Sequence, residues 1–119
     1  MELRILLALS DTQLLNEITR NIKLILPHVS YELSVCSDGQ KALSDFIING
    51  AHVAILEEKL PGLTGTQVRQ EIAKTSGHTQ FIRLVLEKTK SIESQETQVT
   101  LPISNWDEFK NILIESLPA

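Results

Sequence analysis

Val53-Ala-Ile-Leu-Glu57-Glu-Lys-Leu-Pro61-Gly-Leu-Thr-Gly65 is the stretch of the sequence that decides the fold. Its first four residues are apolar and run without interruption into two adjacent carboxylates, Glu57 and Glu58, which a Pro-Gly turn follows. An unbroken apolar run of this length is typical of a parallel strand that helices cover on both faces. Because ligands bind outside the carboxyl ends of such strands, Glu57 lies where a functional site is expected.

Further strands and helices alternate on both sides of this stretch. The short apolar or alternating runs predict strands at 3–9, 31–36, 81–86 and 99–102. Apolar stripes at three- and four-residue steps predict helices that begin after Ser10 or Asp11, after Asp38-Gly39, at a Thr64-x-x-Gln67 capping box and at a Ser104-x-x-Asp107 cap. This order predicts an α/β fold with right-handed crossovers and a parallel sheet wound on both faces.

The composition excludes several classes of protein. The 119 residues predict one domain over 1–119, and the net charge of −4, with 11 scattered Lys and Arg residues, argues against direct nucleic-acid contact. No apolar run reaches membrane-spanning length and no signal peptide is visible, so we expect a cytoplasmic chain with no membrane contact. The single Cys36 excludes an internal disulfide, and the spacing of the three His residues predicts no metal site and no cofactor.

Three segments, in order, carry a resemblance to a known family. They are Arg4-Ile-Leu-Leu-Ala8, Ser37-Asp-Gly-Gln-Lys-Ala-Leu43 and Ala54-Ile-Leu-Glu57 with the following Leu60-Pro61-Gly-Leu-Thr-Gly65. Over essentially its whole length the chain resembles the receiver domain of response regulators in two-component signalling. The resemblance implies a flavodoxin-like (βα)5 fold, with a doubly wound parallel five-stranded sheet in the order 2-1-3-4-5. Since residues 87–97 are polar and few, we expect the fourth helix to be shortened or absent.

The resemblance also implies where the reaction of a receiver domain would take place. Such domains transfer a phosphoryl group to an aspartate with a Mg²⁺ ion held by two acids, and Glu57 stands at the aspartate position. The two acidic positions fall on Leu9 and Ser10, with Asp11 one residue late, and the lysine position falls on Leu101. The hydroxyl position, between residues 85 and 87, contains neither Ser nor Thr. We therefore expect no catalytic residue, no bound metal and no enzyme activity.

Glu57 itself has three interpretations. The simplest is a carboxylate that touches solvent at a strand end. The second is a fixed mimic of phospho-aspartate that holds the domain in one state. The third is residual phosphoacceptor or metal function with Glu58 and Asp11, although Glu58 more simply belongs to the loop surface and Ser10 to a helix cap.

The resulting hypothesis is a non-phosphorylatable pseudo-receiver that acts in signal transduction and transcription regulation through protein–protein contacts. It would be the N-terminal regulatory domain of a longer protein or a stand-alone adaptor, with homodimerisation also open. Its partner is a signalling protein or an output domain, and Thr100, Pro102 and Trp106 are the candidate partner surface. The alternative is a degenerate but working receiver with phosphotransfer or metal binding at Glu57. A small-ligand binder is the third hypothesis, although no Gly-rich phosphate loop follows the first strand.

Overall fold

One parallel sheet organises the chain. A computed structural model describes residues 3–86, 98–101, 103 and 105–118, without the side chain of Leu86. The strands are β1 (Leu3–Ala8), β2 (Tyr31–Cys36), β3 (Val53–Glu57), β4 (Gln80–Leu86) and β5 (Gln98–Leu101). The helices are α1 (Thr12–Ile25), α2 (Gly39–Asn49), α3 (Gly65–Thr75) and α4 (Trp106–Ser116). The strand order β2-β1-β3-β4-β5 with parallel pairing confirms the predicted doubly wound, flavodoxin-like sheet.

Two apolar clusters cover the two faces of the sheet. Because successive side chains of a strand point to opposite faces, Ile5 and Ile55 join one cluster with α1 and α4, while Leu6 and Leu56 join the other with α2 and α3. Every residue of β3 is buried, as the apolar run predicts. β3 therefore lies in the middle of both layers, and its carboxyl end is enclosed by neighbouring strands.

The capping box at α3 is the predicted one, Asp11 is one of the two residues predicted to begin α1, and the cap of α4 differs from the prediction. Thr64 and Gln67 form the predicted reciprocal capping box at the start of α3. The side chain of Asp38 accepts a hydrogen bond from the Lys41 N–H at the start of α2. At α1 the cap is Asp11 and not Ser10, and α4 begins at Trp106 with Asn105 as its cap.

Other parts of the sequence-based description fall outside the described residues. The expectation of a shortened or absent helix concerns residues 87–97, and Pro102 and Ser104 are also outside the description. Leu9 lies one residue beyond the end of β1, although its N–H still donates to the Cys36 carbonyl at 3.0 Å. The described part of β5 ends at Leu101, and Pro102, the last residue of the predicted strand, is outside the description.

Candidate functional site

Glu57 is the last residue of β3, and its carboxylate is turned into the protein. The residue is only 7% exposed, and its Oε1 atom accepts hydrogen bonds from the Ser10 N–H at 2.9 Å and from the Ser10 hydroxyl at 2.8 Å. The carboxylate of Glu57 is therefore held by Ser10 and only slightly exposed at the end of its strand. The assignment of Ser10 to a helix cap is wrong, because Asp11 caps α1 and the Ser10 hydroxyl donates to Glu57.

The sheet itself brings these two residues together. β1 pairs directly with β3, with Ala8 beside Leu56, so the residues just beyond these partners meet at the same edge of the sheet. Hydrogen bonds that a carboxylate accepts are stronger than those between neutral groups. The two bonds from Ser10 therefore fix the position of the Glu57 carboxylate at the ends of β1 and β3.

Two leucines at predicted site positions lie on the face of the sheet that α1 and α4 cover. Leu9 is fully buried and Leu101 is 1% exposed, and both belong to the apolar cluster that α1 and α4 cover. Glu57 follows Val53 and Ile55 in the alternation of β3, which places its side chain on this face too. The carboxylate of Glu57 thus lies on the same face as this apolar cluster, and its hydrogen-bond donors are the N–H and hydroxyl of Ser10.

Asp11 does not join Glu57. It is exposed, and its Oδ1 atom accepts hydrogen bonds from the N–H groups of Gln13 at 2.9 Å and Leu14 at 3.1 Å. These bonds satisfy N–H groups that have no partner within the first turn of a helix. The carboxylate that comes one residue after Ser10 is therefore used to begin α1.

Glu58 has a different set of partners on the opposite face. Its Oε1 atom lies 3.4 Å from Nε of Arg83 and accepts a hydrogen bond from the Thr66 hydroxyl at 2.7 Å. Arg83 also donates from Nη2 to the Thr66 hydroxyl at 2.9 Å. Glu58 lies in the turn after β3 with its side chain 31% exposed, and its contacts with Arg83 and Thr66 fix it there. We call Glu58, Thr66 and Arg83 the β3–β4 clamp.

The loop between β3 and α3 is also fixed through its backbone. The Glu58 N–H donates to the Leu84 carbonyl at 2.9 Å, the Gly65 N–H donates to the Glu58 carbonyl at 3.0 Å, and the Gly39 N–H donates to the Pro61 carbonyl at 2.9 Å. A side chain at Gly39 would overlap the Leu63 carbonyl. The loop that follows Glu57 is thus attached to β4, to α3 and to the start of α2.

The side chains around Glu57 decide whether the region could bind a metal ion or supply the hydroxyl group of a receiver site. Among the residues that the structure describes, no group of three or more His, Cys, Asp or Glu side chains is placed to hold a metal ion. Val85, one candidate for the hydroxyl position, is a buried apolar side chain.

The single cysteine lies elsewhere, at the end of β2. Burial, with the nearby Asp45 and Asp38 carboxylates, raises the pKa of the Cys36 thiol to about 11. Cys36 is therefore a poor nucleophile at neutral pH.

The predicted partner surface is only partly described. Thr100 is exposed on β5, whereas Trp106 is half-buried and packs edge-on against Phe109 with ring centroids 5.6 Å apart. Trp106 thus anchors the start of α4 to the apolar cluster.

In the described part of the chain, no helix has the length and hydropathy needed to cross a membrane.

Known structures share this arrangement of strands and helices. A two-component transcriptional regulator AraC from Clostridium phytofermentans superposes with a TM-score of 0.86 at 20% identity, covering 98% of this chain and 92% of that one. The fold is that of a receiver domain. The REC domain of the response regulator AraT from Geobacillus stearothermophilus also has this receiver fold, with a TM-score of 0.83 at 12% identity, covering 98% of this chain and 93% of that one.

Sequence similarity is more limited than structural similarity. The regulatory protein VanRB from Enterococcus faecalis is 32% identical over 71 residues, which are 60% of this chain and 30% of that protein. The match therefore spans less than a third of the length of VanRB. No protein-family model matches the chain.

Proposed function

We propose that the chain is a response-regulator receiver domain of two-component signalling that is not phosphorylated and that acts through protein–protein contacts. The observation that carries this proposal is the carboxylate of Glu57, which is buried and accepts both donors of Ser10. The domain is not an enzyme, uses no cofactor or metal, and works in the cytoplasm.

The contacts of Glu57 oppose phosphoryl transfer in two ways. A phosphoacceptor oxygen must reach an incoming phosphorus atom, whereas Oε1 of Glu57 already accepts two hydrogen bonds and its residue is 7% exposed. The reaction also needs positive charge around the transferred phosphoryl group. The residues proposed to replace the acidic pair and the lysine are Leu9, Ser10 and Leu101, none of which supplies a carboxylate or an ammonium group.

The alternative of a degenerate working site with Asp11 and Glu58 would require both acids to leave their partners. Asp11 would give up two hydrogen bonds at the start of α1, and Glu58 would leave the cation of Arg83 and the Thr66 hydroxyl. The side chain of Glu58 also belongs to the β3–β4 clamp on the opposite face of the sheet from Glu57. These contacts favour the non-phosphorylated hypothesis over the alternative.

The fold and the similar proteins support the proposed signalling role. VanRB is a regulatory protein, and the similar structure from Clostridium phytofermentans is a two-component transcriptional regulator. We place this chain in transcription regulation as a receiver whose state does not change with phosphorylation. Its partner is an output domain or another signalling protein, bound at the surface formed by Thr100, Pro102 and Trp106. The hydrogen bonds from Ser10 to Glu57 hold the ends of β1 and β3 together in this single state.

Incubation with acetyl phosphate and Mg²⁺, followed by intact mass spectrometry at neutral pH, tests the proposal. We expect no gain of the roughly 80 Da that one phosphoryl group adds. A receiver domain with an aspartate acceptor, treated in parallel, shows that the reagent is active. A stable adduct that maps to Glu57, and that is absent from a Glu57→Gln variant, would overturn the proposal.

A titration with Mg²⁺ followed by amide NMR distinguishes the alternative independently. We expect the amide signals of Ser10, Asp11 and Glu57 to remain at their positions, apart from the small uniform changes that ionic strength causes. Saturable shifts confined to these residues, and lost in Glu57→Gln, would support a working metal site instead.

A further inference from the structure

β2 is an edge strand with an open row of backbone groups. It pairs with β1 on one side, and no strand among the described residues pairs with its other side. Edge strands are usually protected by Lys, Pro, bulges or inward charges. Tyr31–Cys36 contains no Lys, Pro or Gly, and its single charged residue, Glu32, is near Arg4 of the same chain at 3.8 Å. The edge therefore lacks the usual protection against pairing.

The direction of each backbone group on this edge follows from the bonds to β1. The carbonyls of Ser30 and Cys36 accept from the N–H groups of Leu3 and Leu9 at 3.3 and 3.0 Å. Since backbone groups alternate along a strand, the even-numbered residues of β2 face β1. The N–H and C=O groups of Tyr31, Leu33 and Val35 consequently point to the open edge.

These three residues are compatible with a second copy of the same strand. In an antiparallel pair centred on Leu33, Leu33 of one copy lies opposite Leu33 of the other, and Tyr31 of each copy lies opposite Val35 of the other. All three outward residues of each copy then form hydrogen-bonded pairs, with their apolar side chains on the same face as α1. A register centred on Glu32 would instead place two carboxylates opposite each other, which is unfavourable.

The surroundings of the edge fit the same occupant. Two of the six large apolar side chains that are exposed among the described residues, Val29 and Val35, lie at this edge and line the groove beside it. Beside the outward face of β2, α1 leaves an open groove of about 820 Å³ that includes Tyr31, Leu33 and Val35 in its lining. This groove provides space for the side chains of an added strand.

Electrostatics also permit self-association at this edge. Residues 19–45 contain three Lys or Arg and three Asp or Glu residues, so the net charge of −4 arises entirely from the rest of the chain. Two copies that meet at β2 therefore bring together two neutral segments, and long-range repulsion between their acidic regions is screened at physiological ionic strength.

From this geometry we infer that two copies of the chain associate through antiparallel pairing of their β2 strands, centred on Leu33, to form one continuous ten-stranded sheet. The partner is a second copy because an isologous contact requires a self-complementary strand, which this register provides. The surface is at the opposite edge of the sheet from Thr100, so the proposed partner surface remains accessible in the dimer.

Sedimentation velocity of the full chain over roughly 1–200 µM tests for the dimer, because a reversible dimer depends on protein concentration. Val35→Lys is the disruptive variant, since Val35 is 45% exposed and tolerates a charge in the monomer, and it should weaken the dimer by about tenfold or more. Ile114→Lys is the matched control at 44% exposure on α4 and should leave the dissociation constant unchanged. Circular dichroism shows that both variants remain folded.

Cysteine crosslinking tests the register in a Cys36→Ala background. Leu33→Cys should form a covalent dimer on mild oxidation, because its Cα atom would lie about 5.5 Å from that of its mate, within disulfide range. Ser34→Cys should not, because Ser34 lies opposite Glu32 in this register. Crosslinking of Ser34→Cys alone, or a dimer that Ile114→Lys disrupts equally, overturns the proposal. A chain that stays monomeric at every concentration also overturns the proposal. This holds whether β2 then pairs with a strand of another protein or remains uncovered.

Discussion

Replacing Arg83 by Met should destabilise the fold by about 1–3 kcal/mol. The pair with Glu58 has an Nε–Oε1 distance of 3.4 Å, and the two side chains are 16% and 31% exposed. Removing one partner of a fully buried pair costs about 3–5 kcal/mol, whereas an exposed pair contributes about 0–1 kcal/mol. The partial burial of the β3–β4 clamp places the expected loss between these limits. Met preserves much of the apolar stem of Arg83, so the loss reports mainly on the charge and its hydrogen bonds.

Urea denaturation at neutral pH measures the change in the free energy of unfolding. Lys74→Met is the matched control, because Lys74 and Glu71 are closer, at 3.0 Å, but 69% and 47% exposed, and its effect should stay below about 0.5 kcal/mol. A double-mutant cycle with Glu58→Gln isolates the coupling between Arg83 and Glu58. Equal losses for Arg83→Met and Lys74→Met, or a coupling near zero, would refute the argument that burial makes this pair important.

Four further predictions address other parts of the molecule. Ser10→Ala should lower the free energy of unfolding by about 1.5–3 kcal/mol in urea, because Glu57 loses one of two hydrogen bonds to a charged group; a loss below about 0.5 kcal/mol would contradict the geometry. Gly39→Ala should lower the melting temperature strongly because the added methyl group overlaps a backbone carbonyl, whereas Gly77→Ala has open space and should change stability by at most about 1 kcal/mol. Cys36 should react with a thiol reagent at pH 8 about tenfold or more slowly in the native state than in urea. Because burial raises the Cys36 pKa from 9.0 to about 11, its contribution to stability is present below pH 9 and is lost as the pH rises towards 11, which denaturation at both pH values checks.

The sequence predicted those features that depend on local patterns. The apolar run that ends at Glu57 identified a strand covered on both faces, and the Thr64 and Gln67 pair identified the start of α3. Both signals depend on residues that are close in the sequence and on the periodicity of strands and helices. The strand order followed from the resemblance to receiver domains and is confirmed by the pairing of the strands.

The partners of the site residues could not be predicted in the same way. Ser10 and Glu57 are 47 residues apart, and Thr66 and Arg83 are 17 apart, so no periodic pattern connects them. Either Ser10 or Asp11 could have capped α1, and the packing of β1 against β3 decides between them. The signal that was available for the clamp was Arg83 itself, a charged residue within an otherwise apolar strand, because buried charges are usually paired.

The burial of Leu9 limits how the chain could change its chemistry. An aspartate at this position would place a carboxylate within an apolar cluster where the leucine is fully buried, which costs several kcal/mol unless a partner is supplied at once. Leu101, 1% exposed in the same cluster, presents the same obstacle to a lysine. Single substitutions that restore a phosphotransfer residue would therefore give variants less stable than the present chain. The packing of the core thus opposes a return of the reaction by single steps.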